Sequence, residues 1–193
     1  MSTELIKRAA IHEAGHVVMA YFNRYRCNFT DCSAAKPGEG KTEISWAPIH
    51  TYVNMILNYQ SFKTEIAESA KKGGPDLNSW LEEFLKQFLL VLCSGTAAEI
   101  IYDKKNSRTP TNTINGADSD TIATFLDGIV FFDIVADQKD VQQAFDVSVG
   151  LLQRDELWSA VEIIADQLVS RPNHRLMGTE IESLLVSIKF KPL

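Results

Sequence analysis

The sequence contains few cysteines and no surplus of basic residues. Its 193 residues include three cysteines, Cys27, Cys32 and Cys93, an odd count that does not suit a disulfide framework. Reduced thiols and a cytoplasmic location are therefore expected. The net charge of −6 and the pI near 5.2, with no cluster of Lys or Arg, disfavour a nucleic-acid partner, because phosphate binding requires a basic patch.

Export and membrane signals are also lacking. The first residues do not show a basic region followed by an apolar run and a small-residue cleavage site. No stretch approaches the roughly 18 uninterrupted apolar residues of a membrane span. The expectation is a soluble protein without a membrane span.

The apolar fraction of 45% is enough for a sizeable core, and the length suits a single domain over residues 1–193. Apolar residues recur at helical intervals over residues 3–25. Residues 26–49 are instead rich in strand formers on either side of the turn signal Pro37-Gly38-Glu39-Gly40, which predicts two strands. The predicted fold class is α+β and mainly helical, with a small sheet beside the first helix.

The rest of the chain is predicted to be helical, with interruptions. The segment Lys71-Lys72-Gly73-Gly74-Pro75 is the clearest helix breaker, and the polar stretch from Asp103 to Gly116 is typical of a surface loop. Asp118 is expected to cap the helix that follows. The predicted helices are residues 52–70, 77–102 and 118–132, and two or three more within 141–188.

The first predicted helix contains the motif His12-Glu13-Ala14-Gly15-His16. Histidines four residues apart project from one face of a helix, so both imidazoles can bind one zinc ion. The carboxylate of Glu13 can then reach a water molecule that the metal activates and act as general base. Gly15 costs about 1 kcal/mol relative to alanine within a helix, which suggests that another element packs closely there.

Catalytic zinc commonly has three protein ligands, so a third residue is needed. The downstream sequence lacks the glycine and third histidine of the metzincin pattern. Spacing alone does not choose among the candidates by residue type, which are His50, Glu99, Asp118, Asp120 and His174.

Three segments in this order resemble the peptidase domain of FtsH-type proteases. They are Ala10-Ile11-His12-Glu13-Ala14-Gly15-His16-Val17-Val18, Ser94-Gly95-Thr96-Ala97-Ala98-Glu99 and Asn115-Gly116-Ala117-Asp118-Ser119-Asp120. The resemblance implies that Asp120 is the third zinc ligand and that Glu99 supports a ligand histidine. It also suggests that the helix of Asp120 packs across the motif helix, near Val17 and Tyr21.

The sequence departs from the family pattern as well. Thr96 stands in place of an Arg, Ile100 in place of an acidic residue and Asn115 in place of a Thr. Neither a ring-ATPase module nor a membrane span precedes the motif, so processive degradation of folded proteins is not expected.

The expected function is that of a zinc metalloendopeptidase with one Zn²⁺ per chain, acting on a peptide or protein substrate. A substrate strand is expected to add to the sheet edge within residues 26–48. The sequence does not decide between a monomer, an oligomer and dependence on a separate ATPase or adaptor. One alternative is a catalytically idle peptidase-like module that binds a partner or regulates it, although a scaffold needs no general base such as Glu13. Another is a soluble metallopeptidase of a different lineage that shares only the helix motif and uses Glu99 or a different residue as ligand.

Overall fold

A computed structural model describes residues 2–33, 35–36, 38–47, 50–110, 114 and 116–192. These residues form an α+β fold that is mainly helical, as predicted, with one small antiparallel sheet. A single 3₁₀ turn, Val130–Phe132, follows the fourth helix. The elements are α1 (Ser2–Phe22), β1 (Arg26–Cys32), β2 (Gly40–Ser45), α2 (His50–Leu57), α3 (Tyr59–Lys105), α4 (Ala117–Ile129), α5 (Gln138–Leu152), α6 (Asp155–Ser170), β3 (Arg175–Met177) and α7 (Gly178–Ser187).

Helix α1 lies at the centre of the fold and packs against α3, α6 and the sheet. Its residues from Ala9 to Ala20 are buried on nearly all sides, with His12 alone partly exposed, as expected for a helix without a solvent face. The close packing predicted at Gly15 is confirmed. A Cβ there would lie 2.5 Å from the carbonyl oxygen of Ser94 and 2.9 Å from the Cβ of Ala98, so the glycine allows α3 to approach.

The sheet has the strand order β2-β1-β3, with both pairs antiparallel. Strands β1 and β2 form the predicted hairpin, in which Cys27 pairs with Ile44 and Cys32 with Gly40. The short strand β3 was not predicted, because three residues are too few to show alternation. Strand β2 is therefore an edge of the sheet, and it lies against α1.

The predicted break at Lys71–Pro75 is wrong, because α3 continues through it from Tyr59 to Lys105. A proline inside a helix costs about 3 kcal/mol. Ile66 before the segment and Leu81 after it are fully buried, and this packing stabilises helix on both sides.

The later part of α3, Leu77–Lys105, is long and apolar enough to cross a membrane by length and composition alone. Its most apolar window has a mean hydropathy of 1.5 and is 72% buried within the protein, as is common for a core helix. This is weak evidence for a span.

The three cysteines are free and buried.

Helix α4 packs chiefly against α2 and α3, and not across α1 near Val17 and Tyr21 as expected. Phe125 stacks on Phe88 with ring centroids 4.1 Å apart. Gly128 lies against the backbone carbonyl of Ile56, where a side chain would not fit. These contacts fix the position of the first turn of α4, which faces the histidines of α1.

Candidate metal centre and active site

Helix α1 presents His12, Glu13 and His16 toward the start of α4. The two imidazole rings lie edge to face with centroids 4.7 Å apart, as expected for side chains one helical turn apart. Glu13 and His16 are 5% and 4% exposed, whereas His12 is partly exposed. The motif thus forms the floor of a cleft.

Contacts with α3 fix the orientation of both rings. His16 Nδ1 donates to the backbone oxygen of Val91 at 2.8 Å, and His12 Nδ1 donates to Glu99 Oε1 at 2.8 Å. With Nδ1 as the donor, the Nε2 lone pair of each neutral ring is free to bind a metal. Gly95 allows this arrangement, because a Cβ there would lie 2.5 Å from both Nε2 atoms.

The third residue of the cluster is Asp118, in the first turn of α4. Its Oδ2 atom lies 3.0 Å from His12 Nε2 and 3.2 Å from His16 Nε2, and the two Nε2 atoms are 3.0 Å apart. Ligands at zinc–nitrogen distances of about 2.05 Å in a tetrahedron are separated by about 3.3 Å. The three atoms therefore fit a metal ion after a small outward movement.

The electrostatics of the cluster favour a cation between these atoms. Burial opposes a charge on His12, but the hydrogen bonds to Asp118 and Glu99 outweigh it and raise the pKa of His12 to about 10. Burial likewise opposes a charge on His16, whereas the negative charge of Asp118 raises its pKa. Despite burial, the positive charges on the histidines hold the pKa of Asp118 well below its ordinary value. A divalent ion can supply the same positive charge.

Glu13 lies beside the cluster, and its carboxylate is hydrogen-bonded to strand β2. Thr42 Oγ1 donates to Glu13 Oε2 at 2.6 Å, and Thr30 Oγ1 lies 2.8 Å from Thr42 Oγ1. Gly40 lies against the same carboxylate, since a Cβ there would be 2.6 Å from Glu13 Oε1. Burial raises the pKa of Glu13, although His16 and His12 oppose this. A raised pKa suits a carboxylate that must accept and later release a proton near neutral pH.

The structure brings Asp118, and not the expected Asp120, beside the two histidines. Asp120 is exposed, and the carboxylate beside the histidines is that of Asp118. Two residues along a helix correspond to a rotation of about 200°, so Asp118 and Asp120 point to nearly opposite faces. The expected capping role of Asp118 is wrong as well, because Gly116 is the N-cap residue, at φ 65°, and Asp118 lies within the helix.

Of the other candidate ligands, Glu99 lies next to the histidines, whereas His50 and His174 do not. Glu99 lies beside His12, the position that the resemblance implied for it. His50 is exposed at the start of α2, and His174 Nδ1 lies 3.1 Å from the backbone oxygen of Leu168 in another part of the fold. Neither belongs to the metal cluster.

Sequence reasoning missed three residues that contact the site. Thr42 holds the Glu13 carboxylate, and Arg8 and Asp103 form ion pairs next to Glu99. The signal for Arg8 was its position four residues before His12, on the same face of α1. Thr42 gave no local signal, because its contact with Glu13 depends on how the hairpin packs on α1.

Two cavities meet at Glu13, Gly40, Ala117 and Asp118. The cavity on the His16 side has a volume of about 260 Å³ and a mainly apolar wall that includes Ile44, Trp46, Leu57, Phe88 and Leu92. The cavity on the His12 side has a volume of about 510 Å³ and is lined by Ala9, Gly38, Glu39, Glu99 and Gly116. A ligand can therefore extend to both sides of the metal cluster.

No protein-family model matches the sequence, and a search of curated proteins finds no match.

Proposed function

We propose that the protein is a zinc-dependent metallopeptidase in which His12, His16 and Asp118 bind the metal and Glu13 is the general base. The observation that carries this proposal is the convergence of His12 Nε2, His16 Nε2 and Asp118 Oδ2 within 3.2 Å of one another. Two imidazoles and one carboxylate suit zinc, and three protein ligands leave a coordination position open for catalysis.

A zinc ion bound there would polarise the scissile carbonyl and lower the pKa of a water molecule. Glu13 accepts the proton of that water through Oε1, the oxygen that has no hydrogen bond from Thr42, and then donates it to the departing amine. Thr42 donates to Glu13 Oε2 and so holds the carboxylate in place, with the other oxygen, Oε1, beside Gly40. Thr30 supports Thr42 from the middle strand of the sheet.

The substrate is a peptide in an extended conformation. Strand β2 is at the edge of the sheet and passes Glu13 at Gly40 and Thr42, so its backbone can pair with a substrate strand next to the general base. The apolar cavity beside His16 suits an apolar substrate side chain near the cleaved bond.

The relationship to FtsH-type peptidases is part of this proposal. Its support is that the first two resembling segments are neighbours in space, since Gly15 contacts Ser94 and His12 contacts Glu99. The third segment includes the first turn of α4, which carries Asp118 and Asp120. It supplies Asp118 in place of the aspartate expected at Asp120.

The test uses zinc-loaded protein and a mixture of peptides of varied sequence, with cleavage sites identified by mass spectrometry. Glu13→Gln should retain zinc and lower turnover by roughly 10²–10⁴-fold, because the amide cannot accept a proton. Asp118→Asn should lose zinc affinity, whereas the matched variant Asp120→Asn should not. Zinc binding without peptide cleavage by the wild-type protein would instead favour the idle, partner-binding module.

A further inference from the structure

A partly buried ion-pair network continues from the metal cluster along α1 and α3. Arg8 Nη2 lies 2.7 Å from Glu99 Oε2 and 3.2 Å from Asp103 Oδ2. The other oxygen of Glu99, Oε1, accepts the hydrogen bond from His12 Nδ1. The chain of contacts thus runs from Asp103 through Arg8 and Glu99 to the proposed metal ligand His12.

The positions of these residues explain why they meet. Arg8 and His12 are four residues apart on α1, and Glu99 and Asp103 are four residues apart on α3. Each pair therefore lies on one helix face, one turn apart. Where the two faces meet, a single cation contacts two carboxylates that would otherwise repel each other.

The carboxylates need this cation because the helix packing removes Asp103 almost entirely, and Glu99 in part, from water. The side chain of Asp103 is 6% exposed and that of Glu99 is 23% exposed. Arg8 Nε is buried and makes no hydrogen bond, so the guanidinium is oriented through its Nη2 contacts. Arginine is suited to this position because it stays charged and its planar group has several donors in fixed directions.

We propose that Arg8, held by Asp103, is a positioning residue for the metal site that acts through Glu99. Without Arg8, Glu99 has no cation to hold Oε2, and its half-buried carboxylate turns away from Asp103 toward solvent. His12 Nδ1 then loses its acceptor, and the ring is no longer fixed with Nε2 directed at Asp118 and His16. Loss of such a supporting contact typically weakens metal binding by about 10–100-fold.

The inference rests on the metal site of the proposed function but not on peptide cleavage. Its main test is the zinc dissociation constant, measured by competition with a chromophoric chelator. Arg8→Met should weaken zinc binding by about 10–100-fold, and Arg8→Lys should restore part of the loss. The matched control is Arg108→Met. Arg108 forms an ion pair with Glu4, which lies on α1 one turn before Arg8. That variant should bind zinc as the wild type does.

A double-mutant comparison separates positioning from general destabilisation. If Arg8 acts through Glu99, the variant Arg8→Met/Glu99→Ala should bind zinc no more than about threefold more weakly than Glu99→Ala alone. In zinc-loaded protein, the His12 Nδ1–H proton should exchange slowly with solvent in an NMR spectrum, and this protection should be lost in Arg8→Met. Arg8→Lys keeps the test valid if Arg8→Met does not fold.

The inference is overturned if Arg8→Met retains wild-type zinc affinity, or if the losses from the two substitutions multiply in the double variant. It is also overturned if the wild-type protein binds no zinc. Normal zinc binding with the expected Arg8 effects, but without peptide cleavage, would refute the proposed function alone.

Discussion

Replacing Gly95 with alanine tests whether the two histidines share one metal ion. A Cβ on Gly95 would lie 2.5 Å from both His12 Nε2 and His16 Nε2. Non-bonded carbon and nitrogen atoms need about 3.5 Å, so the rings and the helix must separate by roughly 1 Å. Ligand distances in a metal site tolerate only about 0.2 Å of change. We therefore expect Gly95→Ala to weaken zinc binding by at least about 100-fold.

The effect of Gly95→Ala on folding should be smaller than its effect on zinc binding. Overpacking costs about 1–3 kcal/mol, but alanine within a helix regains about 1 kcal/mol relative to glycine. The matched control is Gly150→Ala in α5, because no atom lies within 4 Å of its added Cβ. That variant should gain up to about 1 kcal/mol of stability and keep its zinc affinity.

The assay pairs chelator competition for the zinc dissociation constant with circular dichroism for the Tm of the zinc-free protein. Wild-type zinc affinity in Gly95→Ala would refute the claim that the Nε2 atoms of His12 and His16 hold the ion. A loss of Tm large enough to account for the loss of zinc would show instead that the glycine serves only the packing of α1 on α3.

Three further predictions address packing, the general base and pH. Gly15→Ala should lower the free energy of unfolding by up to about 2 kcal/mol in urea titration, because the clash of the added Cβ with the backbone oxygen of Ser94 costs more than the roughly 1 kcal/mol that alanine gains within a helix; an unchanged midpoint would contradict this contact. Thr42→Val should lower kcat at unchanged zinc content because Glu13 loses a hydrogen bond, and Thr42→Ser should restore it; equal loss in both variants would exclude the hydroxyl as the cause. The pKa of His12 is raised from 6.5 to about 10 in the zinc-free fold, so its stabilising contribution is complete below pH 6.5 and is lost as the pH rises to about 10. Zinc binding displaces this proton, so the rise in Tm on adding zinc should grow from pH 6 to pH 9; a constant or shrinking rise would contradict the exchange.

Local patterns predicted the elements around the motif well and the long third helix poorly. The first helix and the hairpin were predicted because the periodicity changes clearly at Arg26 and because Pro37-Gly38-Glu39-Gly40 is a turn signal in the sequence. The Gly-Gly-Pro segment inside α3 was interpreted as a break, since its local preference opposes helix. The burial of Ile66 and Leu81 on either side decided otherwise, and that burial depends on distant parts of the chain.

The same distinction applies within the site. Resemblance placed Glu99 beside a ligand histidine, and the hydrogen bond between Glu99 and His12 agrees with it. It favoured Asp120 over Asp118, whereas Asp118 is the carboxylate that lies beside the histidines in the structure. Two carboxylates separated by one residue at a helix start are equivalent in sequence terms, and only the rotation of α4 about its axis distinguishes them.

The sequence by itself determined that His12, Glu13 and His16 share a helix and that another element approaches Gly15. The first follows from the helical repeat and the second from the lack of a side chain at Gly15. Tertiary structure alone decided which acidic residue faces His12 and His16, and it alone brought Thr42 to Glu13 and Arg8 to Asp103. The reason is physical: a helical repeat fixes which residues share a face, whereas the packing of α4 on α2 and α3 and of the hairpin on α1 fixes where that face points.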